Sequence, residues 1–249
     1  VFSQYGDDGI IQFLVDYLEI PTKTFIEFGV QNYRESNTRF LLINNNWQGL
    51  IFDGSQKNIE EIKADNIYTN YGLTAECAFI TKENINHLLQ KNQFEGEIGL
   101  LHIDIDGNDY WIWQEINVIS PSIVIMEYNS VFGKDRSITV PYDKSFVRHQ
   151  KHYSYLYFGA SLLALCNLAE QKGYYFIGSN SNGNNAYFIR KDKIKDLKMR
   201  TVEDSYVESK FRESRDKNGN FSFIGGEKRL ELIKGLPVYN TQTQEIEPI

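Results

Sequence analysis

Apolar and polar positions alternate along this chain in two rhythms. Ile10, Ile11, Leu14, Val15 and Leu18 fall at helical spacing, and Pro21 stands just beyond them, which predicts a helix over 7–18. Short apolar runs follow. Residues 24–29 end at Gly29, 49–52 lead into Asp53, 73–80 form a third run, 98–105 surround Asp104, and 123–126 lead into Glu127. Helical stretches separate them at 39–44 (started by Ser36 or Asn37), 57–64, 82–90 and 110–116. Near-continuous apolar strands joined through helices predict a parallel sheet covered on both faces.

The rhythm breaks over 129–158, a long stretch with two histidines and many aromatics, and connections of this length are usually functional. A helix over 159–172 resumes it, with Ala160, Leu163, Cys166 and Leu168 facing inward and Gly173 as its stop. Two more runs, 174–178 and 186–189, are joined by a turn containing Asn182-Gly183. That turn is too short for a crossover helix, so the two strands must form an antiparallel hairpin. The expected architecture is an α/β, three-layer Rossmann-like fold. It comprises a mostly parallel seven-stranded sheet with an antiparallel C-terminal hairpin. Residues 1–190 form its core, 129–158 an acceptor-side insertion, and the polar stretch 191–249 a strap or lid without a domain of its own.

Composition narrows the function classes. The net charge of −7 excludes a basic nucleic-acid footprint, while leaving phosphorylated small molecules as partners through backbone N–H groups. Two cysteines, Cys77 and Cys166, exclude a disulfide framework and a cysteine-rich zinc module. No apolar run is long enough for a membrane span, and the opening six residues lack the pattern of a secretion signal. A cytoplasmic protein acting on a small molecule is expected, alone or as a homo-oligomer.

In an open parallel sheet, ligands bind beyond the carboxyl ends of the strands. The residues there are Glu27 and Gly29, Asp53, Thr81, Asp104 with Asp106, and Glu127 with Asn129. A carboxylate at a strand end also starts turns and caps helices, but its recurrence across the sheet favours a site. Gly29 opens a phosphate- or carboxylate-binding turn that lacks the full glycine fingerprint, because Gln31 and Tyr33 stand where further glycines are expected. Asp53 follows Gly29 by 24 residues, near the spacing of an acid that accepts from ribose hydroxyls. A nicotinamide enzyme and a methyltransferase fit these features equally well. The terminal hairpin separates them, because a last strand that folds back is the layout of class I S-adenosylmethionine-dependent methyltransferases.

Several segments then carry a family likeness. Ser3-Gln4-Tyr5-Gly6-Asp7-Asp8-Gly9, Phe25-Ile26-Glu27-Phe28-Gly29, Glu35-Ser36-Asn37-Thr38 and Asp104-Ile105-Asp106-Gly107-Asn108-Asp109-Tyr110 resemble FkbM-like methyltransferases. Val140-Pro141-Tyr142-Asp143, Gly159-Ala160-Ser161-Leu162 and Asn185-Ala186-Tyr187-Phe188 do so in the same order. The resemblance implies methyl transfer, often onto a saccharide or another surface-glycan precursor. It also implies S-adenosylmethionine held by Glu27 and Gly29 at its amino-acid end. Ser36 and Asn37 would donate to its carboxylate, Asp53 would bind ribose, and Ala78 to Thr81 would lie near adenine. Asp106 would face the sulfonium, with Gln4 closing over the cofactor.

An alcohol acceptor also needs a base. Asp106, Asp109, His149 and His152 are the candidates, with Asp106 and His152 favoured. Glu127, Asn129, Tyr142, His149 and Tyr153 are candidate acceptor residues; the aromatics of 128–158 offer a stacking wall, although aromatics are more often core. His102 lies inside an apolar strand and reads as a satisfied core histidine, and His87 as a solvent-facing one. Arg136 and Arg148 are candidate partners of an acceptor phosphate, as are Arg212, Arg215 and Lys217 if the tail folds over the site. Asp104, Asp106 and Glu127 also offer hard oxygen ligands to a divalent metal, which the sequence permits without requiring. Oxygen methylation of a sugar, a nucleotide-linked sugar, or a phosphoramidate or phosphate-bearing capsule intermediate is the leading expectation. The alternatives are a metal-dependent glycosyltransferase built on Asp104-x-Asp106 and a noncatalytic cofactor-binding subunit.

Overall fold

The computed structural model describes residues 2–210 and 213–249. Arg212, one of the candidate phosphate partners, lies outside the described residues. In chain order the elements begin with α1 (Asp7–Leu18), β1 (Thr24–Phe28), α2 (Arg39–Asn45), β2 (Gln48–Asp53), α3 (Gln56–Ala64), α4 (Asn66–Asn70) and β3 (Leu73–Cys77). Next come α5 (Ile85–Lys91), β4 (Gly96–Ile103), α6 (Asp109–Glu115), β5 (Ile119–Glu127), β6 (Ile138–Thr139) and α7 (Arg148–Lys151). The chain ends with α8 (Leu162–Gln171), β7 (Tyr174–Ser179), β8 (Asn185–Arg190), α9 (Val202–Ser205), α10 (Glu227–Ile233), β9 (Pro237–Asn240) and β10 (Glu245–Pro248). No helix among the described residues is long and apolar enough to cross a membrane.

The main sheet has seven strands in the order β3-β2-β1-β4-β5-β8-β7. β1 pairs in parallel with β2 and with β4, and β2 with β3. Neighbours β7 and β8 are joined by only residues 180–184, which no parallel crossover can span, so β8 runs back antiparallel to β7. The last strand of this sheet in sequence, β8, is inserted between β5 and β7. This is the Rossmann-like arrangement expected from the sequence, a mostly parallel seven-stranded sheet with an antiparallel hairpin.

The chain divides into two units. The first comprises Val1–Ile105, Glu115–Ile125 and Ile189–Leu197. Its centre is β1, where Phe25, Ile26 and Phe28 are fully buried. Burying each such side chain contributes about 1.5–3 kcal/mol, which fixes this strand in the interior. The Phe25 ring lies so close over Gly49 that a Cβ there would stand 2.1 Å from it.

The second unit comprises Asp106–Gln114, Met126–Phe188 and Lys198–Ile249. It holds a small core of its own, in which Phe132, Ile138, Val140 and Phe158 from the insertion pack with Ile233 and Val238 from the tail. A three-stranded sheet in the order β10-β9-β6 backs this core, with Ile138 opposite Asn240 and Thr139 opposite Tyr239. The Trp111 indole donates to the Val140 carbonyl at 2.9 Å. Residues 206–210 form a strap across the end of β5. Tyr206 donates to the Ser130 carbonyl, Tyr128 to the Val207 carbonyl (each 2.7 Å) and the Ser209 amide to Ser130 Oγ (2.9 Å).

Several boundaries differ from the sequence expectation. β3 ends at Cys77 rather than at 80, because β2 itself stops at Asp53, whose carbonyl takes the last rung from the Ala78 amide at 3.0 Å. α8 starts at Leu162, because Ser161 Oγ caps it by accepting from the Ala164 amide. That start places Leu162, Leu165, Leu168 and Ala169 on the buried face and leaves Leu163 and Cys166 half-buried. The tail is not irregular throughout: α9, α10 and the β9–β10 hairpin organise it.

Candidate functional site

In the first unit, the turn after β1 is set by Gly29. Its φ is +75°, and a Cβ would stand 1.7 Å from the Asp104 carbonyl oxygen, so only glycine fits. The chain then passes through two further left-handed residues, Gln31 (φ 50°) and Tyr33 (φ 60°). These are the two positions where the sequence lacks the glycines of a nucleotide-binding fingerprint. The curvature is kept by side-chain and backbone contacts. The Gln31 amide donates to Asp53 Oδ2 at 2.7 Å, Tyr33 OH lies 2.9 Å from Thr38 Oγ1 in a fully buried site, and Arg39 donates to the Tyr33 carbonyl at 2.8 Å.

Glu27, near the end of β1, is buried and heavily engaged. Its carboxylate accepts from Ser36 Oγ at 2.6 Å, from the amides of Asn37 and Thr38 at 3.1 Å each, and from Thr38 Oγ1. His102 Nδ1 of β4 lies 2.9 Å away, completing a buried ion pair. Burial alone raises this carboxyl, but the His102 contact and the Ser36 and Thr38 hydroxyls outweigh it and hold Glu27 below the usual carboxylate range. For His102, burial pulls down, and Glu27, with the charges of Asp104 and Asp7, lifts the imidazole above its ordinary value. Asn37 Nδ2 stands 3.2 Å from His102 Nε2. Ser36 and Asn37 thus fold onto Glu27, and α2 begins without a side-chain cap of its own. No sequence signal marked the Glu27–His102 pair, because its partners are 75 positions apart.

Asp53 closes β2. Its carboxylate accepts from the Gln31 amide, the Ser55 amide (2.8 Å) and Asn58 Nδ2 (2.9 Å). A carboxylate offers about four acceptor positions, so one remains for a ligand hydroxyl. Ala78 is tied to Asp53 through the backbone, and the Thr81 amide donates to Asn84 Oδ1 at 2.8 Å. Gln4 is exposed, next to the turn where Asp8 Oδ2 accepts from the Phe2 and Ser3 amides.

In the second unit, Asp106 adopts φ 58° with more than half of its side chain exposed, and its Oδ1 pairs with Arg148 Nη1 of α7 at 2.5 Å. Arg148 also donates to the Tyr155 carbonyl at 2.7 Å and stacks 3.7 Å over the Phe158 ring. Asp109 is fully buried and accepts from the Gly107 amide at 2.9 Å. His152 Nδ1 lies 2.7 Å from Ser154 Oγ and takes the Ser154 amide at 3.3 Å. That contact places the ring proton on Nε2. Burial lowers the imidazole's proton affinity, so His152 is a neutral donor at neutral pH. His149 is exposed and stacks on Tyr155, Tyr153 lies against His152, and Tyr142 lies edge-on to Trp111. Asn129 is spent within the chain: Nδ2 donates to the Leu156 and Phe158 carbonyls and Oδ1 accepts from the Val131 amide. Arg136 is engaged by Glu247 at 2.6 Å. Of the three carboxylates considered for a metal, Asp104 belongs to the first unit, and Asp106 and Glu127 to the second.

The expected cofactor residues from Gln4 to Thr81 thus fall in the first unit, and the expected acceptor residues in the second, where Asp106 also lies.

No protein-family model matches this chain. No curated protein matches it in sequence either. Among solved structures, it is similar to the N-terminal domain of EvdMO1 with SAH bound, at 8% identity and a TM-score of 0.47, covering 74% of this chain and 79% of that one. It is also similar to an S-adenosylmethionine-dependent methyltransferase from Clostridium acetobutylicum ATCC 824, at 9% identity, TM-score 0.48, and 75% and 92% coverage. A third is the O-methyltransferase from Bacillus cereus in complex with SAH, at 12% identity, TM-score 0.47, and 73% and 78% coverage.

Proposed function

We propose that this chain transfers the methyl group of S-adenosylmethionine to an oxygen of a small polar acceptor. The observation that carries the reading is the sheet order, with antiparallel β8 inserted between β5 and β7. In support, the β1 turn bends around Gly29, and Asp53 keeps an acceptor position for a ribose hydroxyl. On this reading the first unit holds the cofactor. Glu27 acts by taking the hydroxyl and amide donors of residues 36–38 and so fixing the chain between β1 and α2.

The acceptor oxygen attacks the methyl carbon in line, the carbon–sulfur bond breaks, and S-adenosylhomocysteine leaves. Alignment supplies much of the acceleration. The acceptor proton passes to Asp106, which Arg148 holds in place through Oδ1, while Oδ2 takes no hydrogen bond among the described residues. His152, Tyr142 and Tyr153 help seat the acceptor, and Asn129 and Asp109 keep the surrounding loops in shape. Arg148 already balances the charge of Asp106, so turnover is expected to persist in EDTA. We take the acceptor to be a sugar or a phosphate-bearing intermediate of surface-polysaccharide synthesis. The two free cysteines suit a cytoplasmic setting.

Calorimetry with S-adenosylmethionine tests the cofactor, and a one-methyl mass gain in candidate acceptors tests the reaction. Asp53→Ala is expected to weaken cofactor binding at least tenfold. Asp106→Asn is expected to leave cofactor binding intact and lower kcat by two orders of magnitude or more, within the ~10²–10⁴ range of proton-transfer catalysis. Absence of S-adenosylmethionine binding in the unmodified chain defeats the proposal.

A further inference from the structure

The second unit contains a group of cations that the methyl-transfer step does not use. Three of its other arginines each face a carboxylate: Arg136 with Glu247, Arg148 with Asp106, and Arg229 with Glu208. Arg215 faces none among the described residues. Its guanidinium lies 4.1 Å over the Phe221 ring and 5.3 Å over Tyr155, and among the described residues one of its five N–H donors is spent, on the Gly219 carbonyl. Lys217 is exposed, with its ammonium 5.9 Å over the Tyr153 ring.

Two tyrosines of the insertion therefore each carry two basic groups. Tyr155 has Arg215 and His149, and Tyr153 has Lys217 and His152. The arrangement is built rather than incidental. The Arg215 amide donates to the Ser154 carbonyl at 3.2 Å, and Arg215 bridges back to Phe221 in a tight antiparallel turn. Asp216, the acid between Arg215 and Lys217 in sequence, turns its carboxylate into that same turn, where it accepts the Asn218 and Asn220 amides. His152 adds a neutral Nε2–H donor.

We propose that Arg215 and Lys217, mounted on Tyr155 and Tyr153, form an anion cradle that selects a diphosphate-bearing acceptor. A planar guanidinium forks onto one phosphate, and a mobile ammonium reaches the adjacent one. Exposed Phe221 and Phe223, stacked at 5.4 Å, offer a face to whatever the diphosphate carries. Calling this ligand the acceptor rests on the methyl-transfer reading; the anion binding does not.

Calorimetry on the full chain at low salt, with inorganic pyrophosphate as the probe, tests it. The unmodified chain is expected to bind, with affinity falling as salt rises. Arg215→Gln and Lys217→Gln are each expected to weaken binding at least tenfold and leave S-adenosylmethionine binding unchanged. Lys144→Gln, an exposed control on the same insertion, is expected to change neither. Lys217→Gln removes no hydrogen bond among the described residues, so it reads the site even if Arg215→Gln disturbs the turn. UDP-glucose and farnesyl diphosphate form separate arms, and the tighter of the two identifies a nucleotide or an isoprenoid source. Equal pyrophosphate affinity in all four proteins, or no binding at millimolar probe while S-adenosylmethionine binds, overturns the cradle. Pyrophosphate binding without S-adenosylmethionine binding overturns the methyl-transfer reading and leaves the cradle standing.

Discussion

Single residues decide the shape of the first unit's turn. Gly29→Ala puts a methyl group into the Asp104 carbonyl and forces a left-handed alanine, two faults that nearby side chains cannot relieve. A loss of about 4 kcal/mol or more is expected, read as a lower urea midpoint. The Glu27–His102 pair gives a pH signature. His102 is raised in the folded state, so its stabilisation is complete below the ordinary imidazole value of 6.5 and is lost as pH climbs through the raised one. Glu27 is lowered, so its share is present above the ordinary 4.5 and is lost as pH falls through the lowered one. Breaking such a buried pair costs about 3–5 kcal/mol. His102→Gln should therefore show its largest deficit between these values and a narrowing one toward alkaline pH, measured by denaturation across a pH series.

At the scale of elements, legibility followed length and periodicity. α1 was readable to the residue, because five apolar positions keep helical phase between a turn and a proline. The β7–β8 hairpin was readable because its connection is too short for anything else. β6 was not, since two residues carry no period, and β9 was not, since its partner β6 lies about a hundred positions away. In the candidate site, residues at strand ends were legible because the chain rule of parallel sheets puts them there. Arg148 meeting Asp106, or Ser154 fixing the His152 tautomer, depends on how a long insertion folds back, and spacing does not encode that. The strap over residues 206–210 gives the prediction proper to this scale. A Cβ on Gly183 would stand 2.5 Å from the Val207 carbonyl oxygen at a left-handed φ of +80°. Gly183→Ala is expected to lift the strap, seen as faster amide exchange over 206–210 with exchange in β1 unchanged.

For the molecule as a whole, the tail is a structural partner of the insertion. Removing residues 237–249 deletes Val238 from the small core and leaves β6 without the strand it pairs with. An unpaired edge beside exposed apolar side chains invites association. The truncated chain is expected to melt at lower temperature and to sediment as aggregates, in contrast to the intact protein.

Gln31 and Tyr33 show that torsion angles outlast the letters that usually encode them. Left-handed geometry at these two points is maintained by anchors elsewhere, on Asp53, Thr38 and Arg39. Drift at 31 and 33 is thereby freed, and the burden of keeping the bend moves to those three distant side chains. A variant of this chain with glycine at both places would be released from them in turn.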